Sequence, residues 1–132
     1  MLWLARPSLL LLALVAAGCA AGPTGGSSRL EGTRWRFTAI DGAAPASATA
    51  ALSFATGRLG ANVGCNGLGG PWRIERGRLI AGPLISTQMW CEGRMEQERA
   101  VGALIVSAPE LTLKGARLSL KAGGHSAELV RE

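Results

Sequence analysis

The chain contains a single histidine and three cysteines, and charged side chains make up only 17% of its 132 residues. Each scarcity narrows the function. His125 lies in a glycine-rich turn near the C-terminus, and the acids Asp41, Glu75 and Glu110 stand singly. Spacing therefore groups no nucleophile, base and orienting residue, and a hydrolase is not expected. The cysteines form no C-x-x-C pair, and one imidazole is too few for a metal-ligand pattern. No catalytic residue, metal or cofactor is expected. The glycines around Asn66, at 64, 67, 69 and 70, lack the lysine and the strand-to-helix setting of a phosphate-binding loop. They are expected to serve positive-φ turns or bulges beside Cys65, with Asn66 bonded within its own loop. A long apolar run is missing too. The uninterrupted stretch from Leu9 to Ala17 falls short of the roughly 20 helical residues that cross a bilayer.

What is present is enough for one small domain. Apolar residues make up 48% of the chain and the formal charge is +5, a balance that favours a buried core over disorder. So short a chain has an unfavourable ratio of surface to volume, and covalent reinforcement is expected.

The first eighteen residues read as an address. Arg6 is their one charge, the apolar run follows, and the segment ends Val15-Ala16-Ala17-Gly18-Cys19, the form of an export signal. Small residues directly before a cysteine resemble the lipobox of bacterial lipoproteins, and that resemblance implies acylation of Cys19 and cleavage before it. Two or more acyl chains, at about 0.8 kcal/mol per buried CH₂, anchor stably. Ala20 is not the aspartate that favours retention at the inner membrane in such proteins, so the expected location is the cell envelope, on the outer membrane facing the periplasm. Residues 20–28, AAGPTGGSS, read as a flexible tether spanning on the order of 15 to 18 Å. The organisation expected is thus a signal peptide at 1–18, a lipidated cysteine and tether at 19–28, and a domain at 29–132.

Within that domain short alternating segments are punctuated by glycine and proline. Trp35, Phe37 and Ala39 share one face of 33–40, Leu52 pairs with Phe54, and Leu59, Ala61 and Val63 alternate. Trp72 and Ile74 alternate before an Arg76-Gly77 turn, and Leu111/Leu113, Leu118/Leu120 and Ala127/Leu129 close the chain. One segment has a helical period: Val101, Leu104, Ile105 and Ala108 fall at i, i+3, i+4 and i+7 within 94–108. Glu92, Glu96 and Glu98 lie near its start, where the helix dipole favours anions, and Pro109 stops it. The expected fold is α+β, a mostly antiparallel sheet, curled or barrel-like, with one α-helix packed on it.

Three motifs in order resemble the META domain family, of HslJ type. Leu30-Glu31-Gly32-Thr33-Arg34-Trp35 is similar to its opening L-x-G-T-x-W strand. Gly64-Cys65-Asn66, followed by Gly70 and Trp72, resembles its central G-C-N signature, and Thr87-Gln88-Met89-Trp90-Cys91, followed by Glu98 and Leu104, is similar to T-x-M-x-C and the helix after it. Gly67 and Leu68 stand where many members carry an arginine and an aromatic. The resemblance implies a role in stress and antibiotic tolerance and no enzymatic reaction.

Once Cys19 is assigned to the anchor, Cys65 and Cys91 remain, and an even count in an exported chain favours a structural disulfide. A redox couple or metal site is the competing reading. Trp35 and Trp72 are expected in the core, whereas Trp90 has two readings, packing on the disulfide or sitting at the mouth of a small apolar cavity. Arg73, Arg76 and Arg78 crowd one hairpin, with Arg34, Arg36 and Arg58 on other strands. A solvated face explains them first, and lipid headgroups or acidic polymers second. The partners expected are the membrane through the anchor and an envelope protein or lipid; export argues against nucleic acid. Three functions follow in order: a non-enzymatic envelope lipoprotein acting by binding, a carrier of an apolar ligand in the curled sheet, and a thiol redox protein using Cys65 and Cys91.

Overall fold

The structure, a computed structural model, describes residues 29–132; the export signal, Cys19 and the tether lie outside them. Arg29 and Leu30 are helical, and after them, among the described residues, nine strands and one helix follow in the order β1 (Thr33–Ile40), β2 (Ala51–Ala55), β3 (Arg58–Asn62), β4 (Gly67–Glu75), β5 (Arg78–Ala81), β6 (Ile85–Ser86), α1 (Met95–Val106), β7 (Glu110–Lys114), β8 (Arg117–Ala122) and β9 (His125–Arg131). Every pairing is antiparallel, in the order β3-β2-β1-β9-β8-β7-β5-β4, and a further β3–β4 pairing closes the sheet into an eight-stranded barrel. Closure leaves those strands without a free edge. β6 is an addition, paired to β4 through Leu68↔Ser86 and Gly69↔Ile85.

Period-two alternation fills the barrel as the sequence leads one to expect. Trp35, Phe37, Leu52, Phe54, Leu59, Leu79, Leu118, Leu120 and Leu129 are all buried in one core. Leu111 and Leu113 are only half-buried. Trp72 meets Phe54 edge-on at 4.8 Å between ring centroids, and its indole N–H donates to the Ala55 carbonyl at 2.9 Å, the partner that a buried tryptophan needs.

Chain direction divides the connections between two ends. At the end where β1 begins lie the β2–β3, β4–β5 and β7–β8 turns and the C-terminus. At the other lie the β1–β2 loop, the β3–β4 loop, the β8–β9 turn and the long passage from β5 through α1 to β7. The helix packs on β9, β5, β1 and β8, burying Val101, Leu104 and Ile105; the sparsest seam of the barrel is that of β5 and β7, which share a single register pair, Arg78↔Glu110.

The opening motif closes the first end. Leu30 is wholly buried. Gly32 turns at φ +76°, a conformation that costs glycine little, and its N–H donates to the Phe54 carbonyl at 2.7 Å. The Thr33 hydroxyl accepts from the Trp35 indole at 2.8 Å and donates to the Leu30 carbonyl. A tryptophan buried to 1% exposure thus keeps its polar atom satisfied from two residues away.

The structure departs from the sequence reading in several places. The helix is shorter at both ends, and Ala108, read as part of its apolar stripe, turns back at φ +51°. Of the glycines beside Cys65 only Gly64 has a positive φ, +118°. Gly67, Gly69 and Gly70 lie inside β4; a Cβ at Gly67 would meet nothing within 4 Å, whereas neighbours leave little room at the other two. A Cβ at Gly70 would come within 2.5 Å of the Pro83 carbonyl oxygen, and one at Gly69 within 3.0 Å of the Arg58 guanidinium. β6 was not foreseen, since two residues carry no legible period.

Candidate functional site: the disulfide and the Asn66–Glu98 node

At the helix end the β3–β4 loop, the segment after β6 and the first turns of α1 converge. Cys65 and Cys91 are joined there, with sulfurs 2.04 Å apart and Cα atoms 5.8 Å apart. A pair so joined offers no thiolate to His125 or to a metal.

Beside the disulfide lies a polar cluster that the sequence conceals. Asn66 is buried, and its Oδ1 accepts from the Met89 N–H at 2.7 Å and from the Thr87 hydroxyl at 2.9 Å. Its Nδ2 donates to the Met89 carbonyl at 2.9 Å and to Glu98 Oε2 at 3.1 Å. Glu98 Oε1 in turn accepts from the Asn66 backbone N–H at 3.1 Å. The Gly67 N–H donates to Thr87 Oγ1 at 3.1 Å, and the Arg94 guanidinium to the Gly64 carbonyl at 2.6 Å.

One expectation is corrected by this geometry. Asn66 does not bond its own loop; its side chain pins the segment 87–89 and the helix. Glu98 lies in the first turn of the helix as expected, and it is also buried, at 6% exposure, with its carboxylate turned to Asn66. Periodicity could not reveal it, because a glutamate in a first turn is the ordinary pattern. The motif residues Gly64, Cys65, Asn66, Thr87, Met89 and Cys91 come together at this node. Gly70 and Trp72 lie farther down β4, and Trp35 is in the barrel core.

What the node holds out is apolar. Trp90 is 73% and Met89 60% exposed, between the bonds of Met89 and the disulfide at Cys91. They border an open cleft of about 460 Å³ between the 86–90 segment and α1, lined also by Leu68, Thr87, Met95 and Arg99. Trp90 thus borders an open cleft, and not the small apolar cavity of one sequence reading, since Asn66, Thr87, Gln88 and Arg99 line it too. Ile85 of β6, 73% exposed, extends the apolar surface.

A second polar pair, between Asp41 and His125, lies on the same end of the barrel. The Asp41 carboxylate, read as isolated, contacts His125 Nδ1 at 2.8 Å and accepts from the Ser126 N–H at 2.9 Å. That backbone bond, then the bond and charge of His125, hold its pKa below the usual aspartate value. The bond joins the end of β1 to the start of β9. Among the described residues no group of three or more His, Cys, Asp or Glu side chains could hold a metal ion.

Comparison with known proteins agrees with this architecture. A protein from Burkholderia xenovorans solved by NMR superposes with a TM-score of 0.66 at 22% identity, over 81% of this chain and 86% of that one. A second NMR structure gives a TM-score of 0.70 at 17% identity, over 79% and 92% of the two chains. Such identities show a shared fold. No curated protein is significantly similar in sequence. The META domain profile matches residues 28–132, the whole described domain with its barrel, Cys65–Cys91 bridge and Asn66 node, and the chain belongs to the META domain family.

Proposed function

We propose that the protein is a non-enzymatic lipoprotein of the bacterial envelope that supports stress or antibiotic tolerance by binding a partner through the Trp90 cleft. Family membership and the barrel fold fit an envelope-type protein without enzymatic activity. The observation that carries the binding role is the exposure of Trp90 and Met89 on a segment fixed by a disulfide and a buried amide–carboxylate node. Aromatic side chains held rigid on a cleft are the usual anchors of binding surfaces, because little conformational entropy is lost when they engage. In this reading the anchor is Cys19 and the location the outer membrane, facing the periplasm. The carrier reading loses its cavity, since Trp35, Phe54 and their neighbours occupy the barrel interior.

Two measurements test the proposal. The intact mass of the native protein is taken with and without reduction before alkylation. The expected chain starts at acylated Cys19, with two thiols labelled only after reduction. Labelling without reduction would return the redox reading. In a strain lacking the gene, the wild-type protein should restore tolerance to heat or antibiotics, and the Trp90→Ala variant, folded and at equal abundance, should not. No envelope phenotype on deletion would remove the proposal.

A further inference from the structure

The charges of the domain are segregated along the barrel axis. At the end where β1 begins, Arg29 precedes the first strand, Arg76 forms the β4–β5 turn, Lys114 and Arg117 flank the β7–β8 turn, and Arg131 ends β9. All five are exposed. Of the carboxylates there, Glu132 is paired to Arg34 at 2.7 Å and Glu75 to Arg73 at 3.0 Å; Glu31 has no ion pair among the described residues, and Glu110, opposite Arg78 in register, shares one groove with Lys114 and Arg117. The helix end is the reverse. Asp41, Glu92, Glu96 and Glu98 offset Arg94, Arg99 and, beside the β8–β9 turn, Lys121, with His125 in contact with Asp41.

Folding does not explain the basic end. Lys114 and Arg117 stand directly opposite each other in the β7–β8 register, a like-charge pair that destabilises a hairpin. The next partner along that row is Val130, and beyond it Arg36, so the cationic row continues around the outer wall. The described chain begins at this same end with Arg29, nine residues beyond Ala20. Residues 20–28 reach at most about 30 Å when fully extended.

We infer that this basic end is a docking face for an anionic lipid surface, against which Arg29, Arg76, Lys114, Arg117 and Arg131 rest. The inference deepens the lipoprotein reading and rests on it for the tether. The anchor keeps the face within reach of headgroups, and the charges set the orientation of the domain. The acidic end, with Trp90 and its cleft, then points away from the bilayer toward a partner in solution.

The test uses the chain from residue 19 with Cys19→Ser, which removes the acyl site and leaves the protein to bind by its surface alone. It is expected to sediment with vesicles of phosphatidylglycerol and phosphatidylethanolamine, to be released by salt, and to ignore phosphatidylcholine vesicles. Each basic residue near an anionic surface is worth about a factor of five, so Lys114→Gln, Arg117→Gln and Arg131→Gln together should weaken partitioning by roughly 100-fold. The charge-matched control, Ala44→Glu, Ala46→Glu and Ala48→Glu at three exposed positions of the β1–β2 loop, should change it little. All three proteins are compared by circular dichroism; should the triple variant be unfolded, Lys114→Gln alone is used, with about a five-fold loss expected. Equal loss in both triple variants, binding to phosphatidylcholine alone, or retention by a soluble polyanion but not by vesicles would overturn the inference. The anchor is tested separately by the native mass. An unacylated native protein whose chain still binds anionic vesicles removes the anchor and leaves the docking face; an acylated one whose Cys19→Ser chain ignores them does the opposite.

Discussion

The two ends of the barrel are closed by different chemistry. The end where β1 begins is sealed by Leu30, by Trp35 beneath it and by one hydroxyl that satisfies the indole, with no covalent bond and no buried charge. The helix end adds to the buried apolar face of α1 a disulfide, a buried carboxylate and an asparagine that uses both ends of its amide. Apolar closure is sufficient where the chain only has to begin. The second end has to hold Trp90 and Met89 in water at a fixed place, which hydrophobic burial cannot do, since burial would hide them. Polar and covalent bonds fix a segment without covering it.

If that division is right, the largest loss of stability comes from the apolar end. Trp35→Ala should cost about 3 to 5 kcal/mol, the usual range for emptying a buried aromatic site, read as a fall in the urea midpoint at unchanged slope. The cleft should then fail only with global unfolding, and a Trp35→Ala protein that unfolds at the wild-type midpoint would show that the barrel is held elsewhere.

Cutting the disulfide sharpens the contrast. Cys65→Ser with Cys91→Ser removes a bridge across a sequence separation of 26, worth about 3.5 kcal/mol on the chain-entropy model. The structural effect should be local. In hydrogen exchange the amides of 87–91 should lose protection at low denaturant, while those of β1 and β9 should follow the global stability. Uniform loss of protection would mean that the two ends are not separable.

These expectations differ in how far the sequence discloses them. Trp35, Phe37, Leu52, Phe54, Leu118 and Leu120 disclose their strands by alternation, and Val101, Leu104 and Ile105 disclose the helix, because both periods are local properties of the chain. Closure of β3 on β4 is not local. Neither is the partner of Asn66, which lies 32 positions away at Glu98. The motif residues, Glu98 among them, mark the neighbourhood of the node, yet in a helix first turn, where acids are ordinary, nothing local tells that this carboxylate is buried. Gly69 and Gly70 mislead for a related reason. Glycine signals a turn by conformation and a strand crossing by lack of bulk, and the sequence alone does not separate the two.

A smaller effect isolates the node from the disulfide. Asn66→Ala leaves Glu98 Oε2 and the Met89 N–H without their partners, while Oε1 keeps the backbone N–H of residue 66, a cost of about 1 to 3 kcal/mol for buried polar groups. Glu98→Gln should cost in the same direction, because a side-chain amide set for the Asn66 N–H turns its own N–H₂ against Asn66 Nδ2. Exchange of the Met89 amide should quicken in both variants with the disulfide intact. Unchanged exchange would assign the fixing of Trp90 to the disulfide alone.

The smallest effect joins the helix end to pH. The folded-state pKa of Asp41 lies below its unfolded value, chiefly through the Ser126 N–H and then through His125, so the folded protein holds the proton less tightly than the unfolded chain. The contribution of Asp41 to stability is therefore fully present above the unfolded aspartate pKa of about 3.9. It is lost as pH falls from there through the lower folded value. Both side chains are more than a third exposed, and solvent screening keeps the contribution small. Asp41→Asn should thus lower the unfolding midpoint slightly at neutral pH and leave it close to wild type at strongly acid pH, so that the two curves converge on acidification. The Asn66→Ala curve should not converge with wild type in that range, because the amide does not titrate. Parallel curves for Asp41→Asn would show that the bond between β1 and β9 owes nothing to the charge of Asp41, and that the Ser126 N–H is satisfied as well by an amide oxygen as by a carboxylate.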